Sequence, residues 1–263
     1  VTREEIGSRG GSGSFIQTGG RHNVTQDLRL GFQGNYFMSG GTLTAAMLNN
    51  EGGLFQVSGG TPDAPVVITA DVSNIGEFSA TGAVVSFSGS FFNEHAYFSS
   101  ASVNNFFGDV SIGYYGFLWG DSGSVFNFYA GLHSESLDTG WNTGEAALSF
   151  QGEGAHEVSL AEAASFEWGA LELGSGVEID FVGGAGTFLV DKLILAQLDQ
   201  VNSISPELTI RTDGIYMPGG IDRYDLTGYT MPSNIIVSPE PASCLLVGLG
   251  GIALALRRRK RAS

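Results

Sequence analysis

A short glycine-rich motif recurs along the first third of the chain at a nearly constant interval. The pattern Gly-x-(Phe/Tyr)-x-x-(Ser/Thr)-Gly-Gly occurs at Gly13–Gly20, Gly34–Gly41 and Gly53–Gly60, and a fourth copy at Gly76–Ala83 differs only in its last residue. The starts of successive copies are 21, 19 and 23 residues apart. Such a period, with one aromatic residue and one glycine corner per unit, is typical of a solenoid whose coils bury each other's apolar faces.

The motif also predicts what its residues do. The aromatic residue of each copy is expected to lie in one stack along the solenoid: Phe15, Tyr36, Phe55 and Phe78. The closing glycines are expected to supply the positive φ that a tight corner needs. Ordinary hairpin turns in a β-sandwich are the alternative, and the near-constant period favours the solenoid.

The rest of the chain keeps this character without the strict repeat. Glycine occupies 40 of 263 positions and only 15% of residues are charged, against about a quarter in ordinary soluble domains. Glycine is poorly tolerated inside helices, while aromatic residues favour strands. We therefore predict an all-β, β-helix-like solenoid with a C-terminal transmembrane sorting helix, divided into repeats (residues 1–83), a continuing β-rich region (84–226), a spacer (227–237) and a sorting tail (238–263).

One short helix is predicted inside the β-rich region, over Phe188–Val201. Leu189, Leu193, Ile194 and Leu198 recur there at helical spacing. That spacing would place an apolar stripe on one face of the helix.

The charge distribution excludes one class of partner. The net charge is −15, but five of the twelve basic residues lie in the run Arg257–Arg261. Residues 1–256 therefore carry 7 basic and 27 acidic side chains, a net charge of 7 − 27 = −20. A surface of that sign repels nucleic acid.

The end of the chain combines three features. Pro239, Glu240 and Pro241 interrupt regular structure, and an uncharged apolar run and a basic cluster follow. The predicted transmembrane residues are Cys244, Leu245, Leu246, Val247, Gly248, Leu249, Gly250, Gly251, Ile252, Ala253, Leu254, Ala255 and Leu256, and the basic stop is Arg257, Arg258, Arg259, Lys260 and Arg261. Basic residues after an apolar segment stay on the cytoplasmic side, which places the body across the membrane. A buried C-terminal helix is the alternative, since thirteen residues span about 20 Å of a roughly 30 Å bilayer core.

This order of proline-acid-proline, apolar helix and arginine-rich terminus resembles the PEP-CTERM sorting signal of Gram-negative bacteria. The resemblance implies secretion, transient anchoring in the membrane, processing of the tail by an exosortase, and transfer to the cell surface or release. Exopolysaccharide is a candidate partner on the same ground. Val1–Gly11 contain no apolar secretory signal, so on this interpretation the signal has been removed or the chain is a fragment. Because the chain opens partway into a repeat unit, we expect a fragment with further coils upstream.

Catalytic, cofactor and metal sites are not indicated by the sequence. The four histidines lack ligand spacing and are interpreted as surface residues: His22, His95, His133 and His156. Asp222 and Asp225 follow a Pro-Gly-Gly turn and are the residues placed best for calcium, although solvated turn aspartates explain them better. No cofactor, catalytic residue or metal ligand is assigned.

Two functions remain open at this point. An exported structural or adhesion protein of the cell surface or extracellular matrix is favoured, and a calcium-dependent surface-layer protein is a variant of it. The alternative is a secreted protein that binds or degrades polysaccharide. Its candidate residues are carboxylates on strands and tryptophans able to stack on sugar rings: Glu167, Glu172, Glu178, Asp180, Trp119, Trp141 and Trp168. Glycoside hydrolysis needs two such carboxylates at a defined separation.

Overall fold

The computed structural model of the chain describes residues 1–7, 11–161, 167–227 and 232–238. Within those ranges the chain forms 24 strands joined by turns and bends, with no helix. Every strand pairs with its neighbours in parallel register. The predicted all-β solenoid is confirmed.

The strands are short and follow one another at tight corners. The first eight are Glu4–Ile6 (β1), Gly13–Gln17 (β2), Arg21–Asn23 (β3), Asp27–Leu30 (β4), Gly34–Met38 (β5), Thr42–Asn50 (β6), Leu54–Gly59 (β7) and Val66–Asn74 (β8). The next eight are Glu77–Phe87 (β9), Phe91–Asn93 (β10), Ala96–Ser100 (β11), Val103–Phe106 (β12), Val110–Ile112 (β13), Phe117–Gly120 (β14), Val125–Phe128 (β15) and Leu132–Ser134 (β16). The last eight are Thr143–Phe150 (β17), Gly154–Leu160 (β18), Glu167–Leu173 (β19), Val177–Val182 (β20), Gly186–Leu195 (β21), Val201–Ile204 (β22), Leu208–Tyr216 (β23) and Ile235–Val237 (β24).

Each turn of the solenoid contributes one strand segment to each of three parallel ladders. The first ladder begins with β2, β5 and β7 and ends with β24; the second begins with β3 and passes through β12 and β15. The third joins β1, β4, β6, β8, β10, β13, β16, β18, β20 and β22, which is one segment for each of about ten turns. Paired residues are between 19 positions (Tyr36 and Phe55) and 26 positions (Leu132 and Val158) apart.

The interior is filled by the alternate residues of these strands, because successive side chains of a strand point to opposite faces. The predicted aromatic stack is confirmed within it. Ring centroids are 5.0 Å apart from Phe15 to Tyr36, 4.8 Å from Tyr36 to Phe55 and 4.9 Å from Phe55 to Phe78. Tyr97 continues the stack at 4.9 Å. These separations match the distance of about 4.7–4.9 Å between paired strands, so the register sets the stacking.

The closing glycines of the motif occupy the corners, as predicted. Gly20, Gly41 and Gly60 have φ values of 68°, 86° and 78°, in the region that side chains other than glycine rarely adopt. At Gly41 an added Cβ would also lie 2.3 Å from the carbonyl oxygen of Gly20. Both the conformation and the close approach of neighbouring coils therefore require glycine there.

A second internal ladder consists of asparagines rather than aromatic rings. Asn50, Asn74 and Asn93 are paired in register and are buried. Asn50 Nδ2 donates to Asn74 Oδ1 at 2.7 Å, and Asn74 Nδ2 donates to Asn93 Oδ1 at 2.6 Å. The same amide nitrogens donate to backbone carbonyls in the first-ladder strand of the next coil, at Glu77 O for Asn50 and Ala96 O for Asn74. The asparagine ladder therefore hydrogen-bonds, from inside the solenoid, the corner between the strands of the third and first ladders.

The helix predicted over Phe188–Val201 is wrong. Residues 186–195 form β21, and the chain resumes as a strand at Val201. Phe188 and Val190 point inward in the first half of β21, and Leu193 and Leu195 point inward after a corner at Asp191–Lys192. The corner shifts the alternation of inward and outward residues by one position. The apolar residues on its two sides are therefore spaced by both two and three positions, which resembles the spacing of an apolar stripe on a helix.

The solenoid also continues across the domain limits drawn from the sequence. β9 crosses residue 83 without a break and contributes to two ladders. β24 pairs with β23 through Ile210–Ile235 and Thr212–Val237. The solenoid therefore extends into the segment 227–237 that was predicted to be a spacer.

Candidate functional site

The predicted sorting tail starts where the described solenoid stops. The sorting motif Pro239–Pro241, the transmembrane residues Cys244–Leu256 and the basic stop Arg257–Arg261 lie outside the described residues. Ser238 is the last residue before them and is held on the final coil: its N–H donates to Thr212 O at 2.8 Å, and Arg211 Nε donates to its Oγ at 3.1 Å. Within the described part of the chain, no helix has the length and apolar character to cross a membrane.

The prediction that all four histidines lie on the surface is wrong for two of them. His156 is 6% exposed, because it takes an inward position in β18. His22 is partly buried, stacks on Phe15 at 4.5 Å, and bonds Glu4 at 2.9 Å and the Tyr36 hydroxyl at 2.8 Å. No group of three potential metal ligands occurs among the residues that the structure covers.

The candidate calcium residues Asp222 and Asp225 form hydrogen bonds within their own turn region. Asp225 accepts a hydrogen bond from the Thr227 N–H at 3.0 Å. Hydrogen bonds from the Thr227 side chain and backbone lower the pKa of Asp225. The carbonyl of Asp222 accepts from Met217 N–H at 2.8 Å.

The four carboxylates proposed for polysaccharide cleavage lie on three different ladders. Glu167 lies on the first ladder and Glu172 on the second. Glu178 and Asp180 lie on the third, where they accept hydrogen bonds from Asn202 at 2.9 Å and Ser203 at 2.6 Å.

Asp191 belongs to a cluster of three carboxylates that was not predicted from the sequence. Asp191 lines a groove of about 320 Å³ whose other residues are mainly small, among them Gly144 and Gly169. Burial, together with the carboxylates of Glu167 and Asp213, raises the pKa of Asp191, and Lys192 opposes the shift. The three acids belong to successive coils, so their proximity depends on the register and is invisible in the sequence.

Replacing Asp191 with asparagine is expected to stabilise the protein slightly at neutral pH. A carboxyl whose pKa is raised on folding stabilises the folded state when protonated, and this contribution is lost as pH rises. Asp191→Asn keeps the neutral form, so we expect a gain of less than about 1 kcal/mol, given its partial exposure. Thermal melting at pH 7 and near pH 4 tests this: the gain should shrink at the lower pH. Asp63→Asn, in an exposed turn, is the control and should leave the melting temperature unchanged at both pH values. A loss of stability in Asp191→Asn at pH 7 would contradict a raised pKa of Asp191.

Only one of the three candidate tryptophans is available to a sugar ring. Trp141 and Trp168 are 7% and 0% exposed, so the expectation that they stack on sugars is wrong. Trp141 Nε1 donates to Thr143 Oγ1 at 3.1 Å, and Trp168 packs edge-on against Phe188 at 4.3 Å. Trp119 points outward from β14 and is partly exposed.

Trp119 belongs to a patch of exposed and partly exposed rings that we term the aromatic surface: His95, Phe98, Tyr114, Tyr115, Phe117 and Trp119. Phe98 lies 5.6 Å from Phe117 and 6.3 Å from Trp119, and His95 lies 6.5 Å from Phe117. Tyr114 and Tyr115, at the corner before β14, are 50% and 63% exposed. Phe98 and Trp119 adjoin the inward-facing Tyr97 and Leu118, and that alternation was the sequence signal for the outward rings.

Comparison with known proteins identifies the tail. Residues 239–260 match the PEP-CTERM protein-sorting motif. The match includes the predicted Pro-Glu-Pro, the apolar run and most of the basic cluster. No curated protein and no solved structure matches the chain.

Proposed function

Because the chain carries a PEP-CTERM sorting motif, which marks an exported protein processed by an exosortase at the cell envelope, we propose that it is a structural or adhesive component of the cell surface or extracellular matrix. The observation that carries this proposal is the attachment of the sorting motif directly to the last coil of a long solenoid. In the proposed sequence of events, Cys244–Leu256 anchor the chain transiently in the membrane. The exosortase then acts on the tail, and the solenoid is left outside.

The body supports a structural role. Its ladders run through about ten turns, and its interior is filled by stacked rings and apolar side chains. A solenoid presents a long repeated exterior that suits contact with extended partners. Of the carboxylates proposed for cleavage, Glu167 and Glu172 lie on different ladders. Glu178 and Asp180 share a strand but are engaged by Asn202 and Ser203, and this arrangement favours a surface component over a glycoside hydrolase.

Replacing Pro239-Glu240-Pro241 with three alanines is expected to abolish processing. Intact mass and fractionation of the protein in its native host measure the effect. The wild-type chain should lose its C-terminal tail and leave the inner membrane, whereas the variant should keep full mass in the membrane fraction. The matched control is Pro62-Asp63 changed to alanines, a proline-acid pair in an exposed turn of the body, and it should be processed like the wild type.

Two results would contradict the proposal. A wild-type chain of full mass in the membrane would show that the tail is a plain anchor. A mature wild-type body recovered from the cytosol would overturn the surface role itself.

A further inference from the structure

The aromatic surface lies on a part of the chain that has no lysine or arginine. Residues 30–191 contain 18 aspartates and glutamates and no lysine or arginine. The nearest basic residues in sequence are Arg29 and Lys192. The electrostatic potential around this surface is therefore negative, and it attracts cations and repels polyanions.

Acidic groups also border the aromatic surface at short range. The Glu94 carboxylate lies against Gly113, next to Tyr114. The turn of Asp138, whose Oδ1 accepts the Gly140 N–H at 2.6 Å, lies against the Phe117 ring, since a Cβ on Gly140 would meet that ring at 3.2 Å.

Asp121 forms a third part of this border, two residues after Trp119 on the same coil. It accepts hydrogen bonds from the Ser100 hydroxyl at 2.6 Å and the Ala101 N–H at 2.8 Å. Ser100 follows Phe98 at the next outward position of β11. The carboxylate is therefore held beside the rings in a fixed orientation.

We propose that the aromatic surface binds a polysaccharide built from amino sugars whose amines are protonated. This inference rests on the proposed surface role and names the class of ligand for it. The C–H faces of sugar rings pack on aromatic side chains, and ammonium groups are attracted to ring faces and to the bordering carboxylates. Phe98 and Trp119 belong to neighbouring coils of the same ladder. An extended chain laid across the coils therefore contacts both.

The structure favours this ligand over two others. An acidic polysaccharide would be repelled by the uncompensated carboxylates. A lysine-rich peptide satisfies the charge but offers no ring-sized apolar face to match the half-buried rings of Phe98, Phe117 and Trp119.

Calorimetric titration of the full chain with a glucosamine oligomer tests the proposal. The same oligomer in N-acetylated form and an oligolysine of similar charge are titrated in parallel. We expect the glucosamine oligomer to bind most tightly of the three, and its affinity to fall as the salt concentration is raised. Trp119→Ala and Phe98→Ala should each weaken it by about tenfold, as truncation of an aromatic anchor does at other interfaces. Phe32→Ala, which removes an 84% exposed ring outside the aromatic surface, is the matched control and should bind like the wild type.

Each other outcome overturns the proposal in a recognisable way. Equal binding of the N-acetylated oligomer would show that the surface does not recognise the charge of the amines. Tighter binding of oligolysine would indicate a cationic protein partner. Unchanged affinity in Trp119→Ala, with an unchanged melting temperature, would place any binding elsewhere. Export is measured separately: Trp119→Ala should still be processed, so failure of sugar binding and failure of the surface role remain distinguishable.

Discussion

Replacing Asn74 with aspartate is expected to destabilise the central coils by about 3–5 kcal/mol at neutral pH, since it leaves two buried acceptors without a donor, at about 1–3 kcal/mol each, and adds a buried charge. Asn74 is fully buried in the middle of the asparagine ladder. Its Nδ2 donates to Asn93 Oδ1 and Ala96 O, and its Oδ1 accepts from Asn50 Nδ2. A carboxylate has no proton for the two acceptors and would be a buried charge without a basic partner.

Hydrogen exchange measured peptide by peptide is the sharpest test, because a solenoid's stability is a sum of coils and their nearest-neighbour interfaces. Protection should fall in coils around Asn50–Phe117 and remain unchanged near Val177–Tyr216. The loss should lessen at acidic pH, where the introduced carboxyl is neutral and donates one hydrogen bond.

Asn35→Asp is the matched control, since Asn35 points outward from β5 and is partly exposed. It should change protection little. Uniform protection in Asn74→Asp would show that the ladder is dispensable and that the aromatic rings alone hold these coils together.

The sequence predicted the solenoid because the repeat encodes register directly. Each motif copy places an aromatic residue and a corner glycine at equivalent points of successive coils, so the Phe15–Tyr36–Phe55–Phe78 stack followed from spacing alone. The asparagine ladder was not found, although Asn50 and Asn74 precede the motif glycines by three and two residues. Their function depends on which residues point inward at the corner, and only the paired register shows it.

The misassigned residues have two causes. Phe188–Val201 was predicted to be a helix because the corner at Asp191–Lys192 shifts the alternation of the strand. His156 was interpreted as a surface residue for its lack of ligand spacing, and Trp141 and Trp168 as sugar-stacking residues for their residue type, although all three are buried. A corner reverses which residues of the next segment point inward. The aromatic surface and the Asp191 groove combine residues about one coil apart, so neither forms a local pattern, whereas the sorting tail is a local pattern and was found from sequence.

Replacing Phe55 with alanine is expected to destabilise the first coils by about 3–5 kcal/mol, the usual cost of truncating a fully buried phenylalanine. Phe55 is 0% exposed and lies between Tyr36 and Phe78, with interplanar angles of 5° and 11°. Its loss leaves a cavity that the backbone cannot close, because the hydrogen-bonded ladder fixes the coil spacing. Chemical denaturation followed by fluorescence of the full chain measures the change, and Phe32→Ala is the exposed control with an expected effect below about 0.5 kcal/mol.

Phe55→Leu then separates burial from stacking. Leucine keeps most of the apolar volume but makes no ring contact with Tyr36 or Phe78. If burial dominates, the cost should be below about 1.5 kcal/mol, as for other swaps that nearly conserve volume. Two parallel ring pairs are worth about 0.5–1.5 kcal/mol each beyond their buried area, so a cost near that of alanine would show that the stack itself holds the coils in register. In that case the aromatic position of the motif is a requirement of the fold, and the same substitution at Tyr36 or Phe78 should be equally harmful.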